Sequence, residues 1–189
     1  MKLKIPNILT IGRIILVPFF IGAFYLPGAM GDWIPFFIFL LASFTDFLDG
    51  LLARLYKEES KLGELLDPVA DKIIICSALV LLIMDDIIKD YEVVAAIIIL
   101  IREILISGLR EFLAKVQITM PVTNLAKYKT FIQMFAIAIL LTGESGNKIF
   151  NFGDYDANSL GITFLWLSAF LTVYTGYDYV KKRIHHAID

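Results

Sequence analysis

The apolar residues of the chain are gathered into six segments of roughly 20 residues, the length that crosses the hydrocarbon core of a bilayer as a helix. The sequence is 58% hydrophobic, more than is usual for a soluble domain. Because hydrocarbon offers no water to backbone N–H and C=O groups, such segments form helices. We therefore predict an all-α integral membrane protein with a single domain, residues 1–189, and helices near 6–26, 33–56, 62–84, 92–115, 124–142 and 160–181.

Turn-forming residues separate some of these segments. Pro27 and Gly28 follow the first segment, and residues 143–159, rich in Gly, Asn and Asp, are predicted to form the longest loop. Pro18 lies inside the first segment and predicts a kink there.

The charges outside the segments are distributed unevenly between the two ends. Six spans place both termini on the same side, together with Lys2, Lys4, Lys57, Lys61, Lys115, Lys181, Lys182 and Arg183. The loops on the other side carry two lysines, Lys89 and Lys148, among several acidic residues. Since Lys and Arg favour the cytoplasmic side, we expect a multi-pass protein of the cell membrane with cytoplasmic termini.

Four aspartates lie in the second and third segments, near their predicted cytoplasmic ends. A helix advances about 100° per residue, so one face of the second helix carries Asp46, Asp49, Gly50 and Ala53, and one face of the third carries Gly63, Asp67 and Asp71. Carboxylates that converge repel each other unless cations hold them together. Oxygen ligands without His or Cys favour the hard ions Mg²⁺, Mn²⁺ or Ca²⁺. The alternative is that these are helix-end carboxylates paired with Arg54 and nearby lysines.

Two sets of polar residues accompany the aspartates in the same half of the bundle. The first helix carries Asn7, Thr10 and Arg13 at a spacing of three residues. A second set, suited to binding a phosphate group because Arg and Lys bind phosphate oxygens, consists of Arg102, Ser107, Arg110, Lys127 and Lys129. A metal site beside an anion pocket suits phosphoryl transfer from a lipid diphosphate to a soluble phosphorylated acceptor. A carboxylate that metal does not saturate is then available to accept the acceptor's proton.

The spacing Asp-x2-Asp-Gly-x2-Ala-Arg-x8-Gly-x3-Asp-x3-Asp, from Asp46 to Asp71, resembles the signature of the CDP-alcohol phosphotransferases at all eight fixed positions. Pro6-Asn7-x-Leu9-Thr10-x-x-Arg13 resembles a further pattern of that family. The resemblance implies six membrane helices, usually in a homodimer, and two Mg²⁺ or Mn²⁺ ions held by Asp46, Asp49, Asp67 and Asp71. It implies that Asp71 is also the general base. CDP-diacylglycerol would be bound by Asn7, Thr10, Arg13, Gly50, Ala53, Arg54 and Gly63.

Two further motifs resemble family members whose acceptor is sn-glycerol 3-phosphate. They are Arg102-Glu103-x4-Gly108-x-Arg110-Glu111 and Lys127-x-Lys129-Thr130-x2-Gln133, with Ala126 where those members have glycine. The implied products are phosphatidylglycerol phosphate and CMP, and the implied partners are membrane lipids and both substrates, without nucleic acid. Two alternatives remain: an acceptor such as serine or inositol phosphate, and an ion transporter. Transport fits less well because the charges occupy one half of the segments.

Overall fold

The computed structural model describes residues 5–56, 61–115, 124–149 and 156–183, and within these ranges it contains helices and no strand. The helices are α1 (Ile5–Ala23), α2 (Ala29–Tyr56), α3 (Lys61–Met84), α4 (Glu92–Lys115), α5 (Asn124–Leu141), α6 (Gly143–Ile149) and α7 (Ala157–Arg183). The all-α prediction is confirmed, and each of the six predicted segments forms one long helix.

The core of the bundle is organised around two antiparallel helices, α5 and α7. The rings of Phe135 and Phe164 meet edge to face with their centroids 5.2 Å apart. Further along, Gly161 lies against Leu140, and a Cβ added to Gly161 would be 2.7 Å from Leu140 Cδ2. The other long helices surround this pair: α4 packs on α7, α2 and α3 contact α5, and α1 packs against α2 and α3.

The outward surface of the bundle is also apolar. Exposed side chains include Phe19, Phe37, Phe44, Ile104, Leu105, Phe131 and Phe170. Two helical segments, Ala29–Asp46 and Ala157–Tyr177, are long and apolar enough to cross a membrane, and less than half of each is buried within the protein. Thr10–Ala23 and Lys72–Met84 are shorter apolar helices. Since exposed apolar patches of this extent are rare on soluble monomers, the surface fits a lipid environment.

The prediction of a continuous loop over 143–159 is wrong for its first part, which forms the short helix α6. Gly143 adopts a positive φ of 52°, a conformation that glycine tolerates well, and this turns the chain directly out of α5. The Asp32 carboxylate of α2 then accepts a hydrogen bond from Ser145 N at 3.0 Å, which caps α6. The capping residue lies 113 positions away, so the local sequence does not reveal it.

The turns at the same end of the bundle follow the sequence more closely. The predicted turn at Pro27 and Gly28 is confirmed: Gly28 has a φ of 61°, and its carbonyl accepts a hydrogen bond from Gly31 N. Asp156 caps α7 by accepting a hydrogen bond from Ser159 N at 2.8 Å, and the hydrogen bonds from Ser159 lower the pKa of the Asp156 carboxyl. The helix α1 continues through Pro18, and a kink there stays a prediction.

The close approach of α7 to α5 at Gly161 predicts a test of the core. Gly161→Val should lower the free energy of unfolding by about 1–3 kcal/mol, because its side chain would overlap Leu140 and separate the two helices. Gly22→Val is the matched control, since a Cβ added to Gly22 meets nothing within 4 Å. Thermal unfolding in detergent measures both variants, and equal shifts of Tm would contradict the proposed tight contact.

Candidate functional site

The first part of the site joins α1 to α2 through an ion pair. Arg13 Nη1 donates a hydrogen bond to Asp46 Oδ1 at 2.6 Å, and the side chains are 2% and 43% exposed respectively. Thr10 is buried one helical turn before Arg13. Because burying an unpaired charge is costly, Asp46 stabilises Arg13 inside the bundle. The α1 motif and the first aspartate of the signature therefore belong to one site.

The rest of the signature lies on two helices that follow each other in the chain. The structure places Asp49 in α2, three residues after Asp46, and Asp67 and Asp71 in α3. The structure does not describe the side chains of Asn7, Asp49, Ala53, Arg54, Asp67 and Asp71 or the surroundings of Gly50 and Gly63. Convergence of the four carboxylates stays a prediction. Among the residues searched, no three His, Cys, Asp or Glu side chains form a group that could hold a metal.

The second part of the site is a buried charged cluster between α4 and α5, formed by Arg102, Glu103 and Lys129. Lys129 is 1% exposed, and its ammonium donates a hydrogen bond to Glu103 Oε1. Arg102 Nη1 donates to the same oxygen at 3.4 Å, and its side chain and that of Glu103 are 17% and 16% exposed. Two cations meet one carboxylate here, and Arg and Lys are the side chains that bind phosphate oxygens in proteins. The cluster is therefore a candidate site for a phosphate group.

The remaining predicted phosphate ligands occupy different positions around this charged cluster. Ser107 and Arg110 follow Glu103 by four and seven residues, which places them on the Glu103 face of α4. Ser107 is partly buried and Arg110 is exposed. Lys127 is exposed, and it precedes Lys129 by two residues, about 200° around the helix. The structure thus brings Arg102 and Lys129 together, aligns Ser107 and Arg110 with them, and places Lys127 on another side of α5.

Glu103 is a functional candidate that the sequence-based site assignment missed. It stands beside Arg102 in a predicted membrane segment, and an ionisable residue within such a segment is by itself a signal of function. Its contact with Lys129 joins residues 26 positions apart, and it forms because α4 and α5 both pack against α7. Gln133, one turn after Lys129, is fully buried as well.

The opposite end of the bundle has the wrong charge for a phosphate. A cavity of about 460 Å³ there is lined by residues that include Asp32, Asp85, Asp86 and Glu144. Burial raises the pKa of the Asp85 carboxyl, and the charges of Asp32 and Asp86 raise it further. An anionic substrate would be repelled from these carboxylates, so the charged cluster is the better candidate for its site.

Known proteins are similar in sequence to this chain over nearly its whole length. The family model described as CDP-alcohol phosphatidyltransferase matches residues 3–174. A Rickettsia felis protein named CDP-diacylglycerol--glycerol-3-phosphate 3-phosphatidyltransferase is 43% identical over 178 residues, which cover 94% of each chain. Proteins of the same name from Haemophilus influenzae and Cereibacter sphaeroides are 38% and 37% identical, covering 96% and 100% of this chain and 94% and 99% of their own.

The buried pair of Glu103 and Lys129 predicts strong coupling between the two residues. Glu103→Gln or Lys129→Met alone should lower the free energy of unfolding by about 3 kcal/mol, because each leaves a buried charge without its main partner. The double variant should lose clearly less than the sum of the two. Denaturant unfolding in detergent measures the cycle, with exposed Arg110→Gln as a control expected to change stability by less than about 0.5 kcal/mol. Additive losses would show that the two side chains do not stabilise each other.

Proposed function

Because the chain belongs to the CDP-alcohol phosphatidyltransferase family, we propose that it transfers a phosphatidyl group from CDP-diacylglycerol to sn-glycerol 3-phosphate, giving phosphatidylglycerol phosphate and CMP. The observation that carries this proposal is the full-length similarity to relatives named for that activity. The charged cluster around Lys129 supports it, since the acceptor carries a phosphate group. Serine lacks a phosphate and would make no use of these cations.

The signature aspartates are proposed to hold two Mg²⁺ or Mn²⁺ ions. Asp46 supports this donor set, because its partly exposed carboxylate lies on the α2 face that it shares with Asp49 and supplies a hard oxygen ligand. Asp49, Asp67 and Asp71 complete the set. When bound, the ions neutralise the diphosphate of CDP-diacylglycerol and the charge that develops on the departing CMP. Arg13 orients the Asp46 carboxylate from the α1 side.

The side chains of the protein position the two substrates for an in-line attack. The nucleotide lipid is bound by Asn7, Thr10, Arg13, Gly50, Ala53, Arg54 and Gly63, where the small residues let the diphosphate approach the backbone. Asp71 accepts the proton of the acceptor's primary hydroxyl as its oxygen attacks the phosphorus. The acceptor phosphate lies against Arg102 and Lys129, and Ser107, Arg110 and Lys127 line the approach to them. Holding both reactants in this way converts a bimolecular reaction into an intramolecular one.

The enzyme is proposed to be a homodimer in the cell membrane with six spans. Its exposed apolar side chains face lipid, and the excess of Lys and Arg at one end places both termini and the active site at the cytoplasmic surface. There the enzyme reaches both the lipid donor in the bilayer and the soluble acceptor.

The test of the activity is CMP release by the purified protein. CDP-diacylglycerol is supplied with glycerol 3-phosphate, serine or inositol phosphate, and we expect turnover with glycerol 3-phosphate that requires Mg²⁺ or Mn²⁺. Asp46→Asn, Asp49→Asn and Asp67→Asn should abolish turnover, because an amide binds these ions poorly. Asp71→Asn should lower turnover at saturating levels of both substrates across a wide Mg²⁺ range, because an amide cannot accept the proton. Preference for another alcohol would refute the acceptor, and full turnover of Asp71→Asn at high Mg²⁺ would refute its role as the base.

The orientation has a separate test in intact cells. In a Cys76→Ser background, a cysteine introduced at the exposed Ser159 should react with a membrane-impermeant thiol reagent from outside. One introduced at Lys182 should react after the cells are permeabilised and not before. The reverse pattern of labelling would place the active site at the outer surface.

A further inference from the structure

The side-chain amide of Gln133 is fully buried, and within the described part of the chain neither its oxygen nor its nitrogen has a hydrogen-bond partner. Buried polar groups in native proteins nearly always have partners. Gln133 follows Lys129 by four residues on α5, so it lies on the same face and about 6 Å deeper in the bundle. The unsatisfied amide therefore lies directly beneath the buried ammonium of the charged cluster.

A second buried polar residue without a partner among the described residues is Thr172 of α7. It is fully buried, and its Oγ1 has no hydrogen-bond partner among the described residues. Other hydroxyls of α7 donate to a carbonyl of their own helix: Thr163 to Ser159, Ser168 to Leu165 and Thr175 to Leu171. Thr172 does not form such a hydrogen bond, although helical geometry allows a threonine to donate to a carbonyl of the preceding turn. Its hydroxyl is therefore available to another group.

The packing of α5 against α7 places Thr172 level with Lys129 and about one helical turn from Gln133. Phe135 meets Phe164 and Leu140 meets Gly161, so the antiparallel register continues to Gln133 opposite Ser168 and to Lys129 opposite Thr172. The stem of Arg102 approaches the same end of α7, with its Cγ 3.7 Å from a Cβ added to Gly176. The described part of the bundle thus has a polar layer, formed by Arg102, Glu103, Lys129, Gln133 and Thr172, between α4, α5 and α7.

The chemistry of this polar layer specifies the ligand that would satisfy it. An amide and a hydroxyl each donate and accept hydrogen bonds. A neutral hydroxyl group on a ligand can therefore form hydrogen bonds with both side chains at once. The cations of Lys129 and Arg102, one helical turn from Gln133 and level with Thr172, suit a phosphate. A small molecule with a phosphate and an internal hydroxyl a few ångströms apart combines the two features.

We infer that Gln133 and Thr172 form the floor of the acceptor pocket and hydrogen-bond the secondary hydroxyl of the phosphorylated polyol. This inference rests on the proposed function and explains how the enzyme selects its acceptor. The cations bind the phosphate, and Gln133 and Thr172 recognise the hydroxyl that does not react. A site built to hydrogen-bond a hydroxyl rejects an analogue that lacks it, because buried polar groups would then be left unpaired.

The test compares two acceptors on the full-length protein with CDP-diacylglycerol. One is sn-glycerol 3-phosphate, and the other is 3-hydroxypropyl phosphate, which keeps the phosphate and the primary hydroxyl and lacks the secondary one. The wild type should prefer glycerol 3-phosphate by about tenfold or more in kcat/KM. Gln133→Met, which keeps the length of the side chain, should lose most of that preference by slowing the reaction of glycerol 3-phosphate while leaving that of the analogue nearly unchanged.

Thr172→Val provides an independent, nearly isosteric test and should reduce the preference in the same direction. Ser168→Ala is the matched control, because its buried hydroxyl already donates to Leu165 O at 2.9 Å, and the preference should not change. Equal losses with both acceptors in Gln133→Met and Thr172→Val would overturn the inference and show that the layer has a structural role, such as holding an internal water molecule. A wild type that uses both acceptors equally also overturns it, while leaving the transfer reaction itself established. A wild type inactive with glycerol 3-phosphate refutes the proposed function, and this inference with it.

Discussion

A charged group buried among apolar helices must have a partner, and this requirement determines how the protein is assembled. Lys129 is enclosed almost completely and depends on Glu103 of another helix, while Arg13 is enclosed on α1 and depends on Asp46 of α2. Each pair joins residues of two different helices, and removing one partner would leave an uncompensated buried charge. We propose that the chemistry uses the same groups, so that the interactions that stabilise the fold also position the site.

The two pairs differ in which partner is more exposed. At Lys129 a second cation, Arg102, contacts the same carboxylate of Glu103, and we propose that these two cations bind the phosphate of the acceptor. At Arg13 the cation is buried while the carboxylate of Asp46 remains partly exposed, and we propose that this carboxylate also binds a metal ion. In this proposal the metal site and the phosphate site lie in the same half of the bundle.

Sequence periodicity predicted the long helices well, because a segment that must satisfy its own backbone in hydrocarbon has few alternatives. It failed where a contact came from a distant residue. The helix α6 depends on a cap from Asp32, and Glu103 depends on its contact with Lys129, 26 positions further along the chain. The sequence analysis placed Lys127 and Lys129 in one set of phosphate ligands, although residues two apart lie on different sides of a helix. The spacing of Asp46 and Asp49 places both on one face of α2, which is a continuous helix there, and the convergence of the four aspartates stays a prediction.

The contrast between exposed Arg110 and enclosed Lys129 has a consequence for the effect of salt. At physiological ionic strength an exposed charge is screened beyond about 8 Å, whereas a charge surrounded by protein is screened much less. Dissolved ions would then weaken the long-range attraction that draws the acceptor towards the membrane surface and slow its capture. Once the acceptor is bound against Lys129, its dissociation rate would hardly depend on the salt concentration. The ionic strength of the surrounding solution would thus change the association rate of the acceptor much more than its dissociation rate.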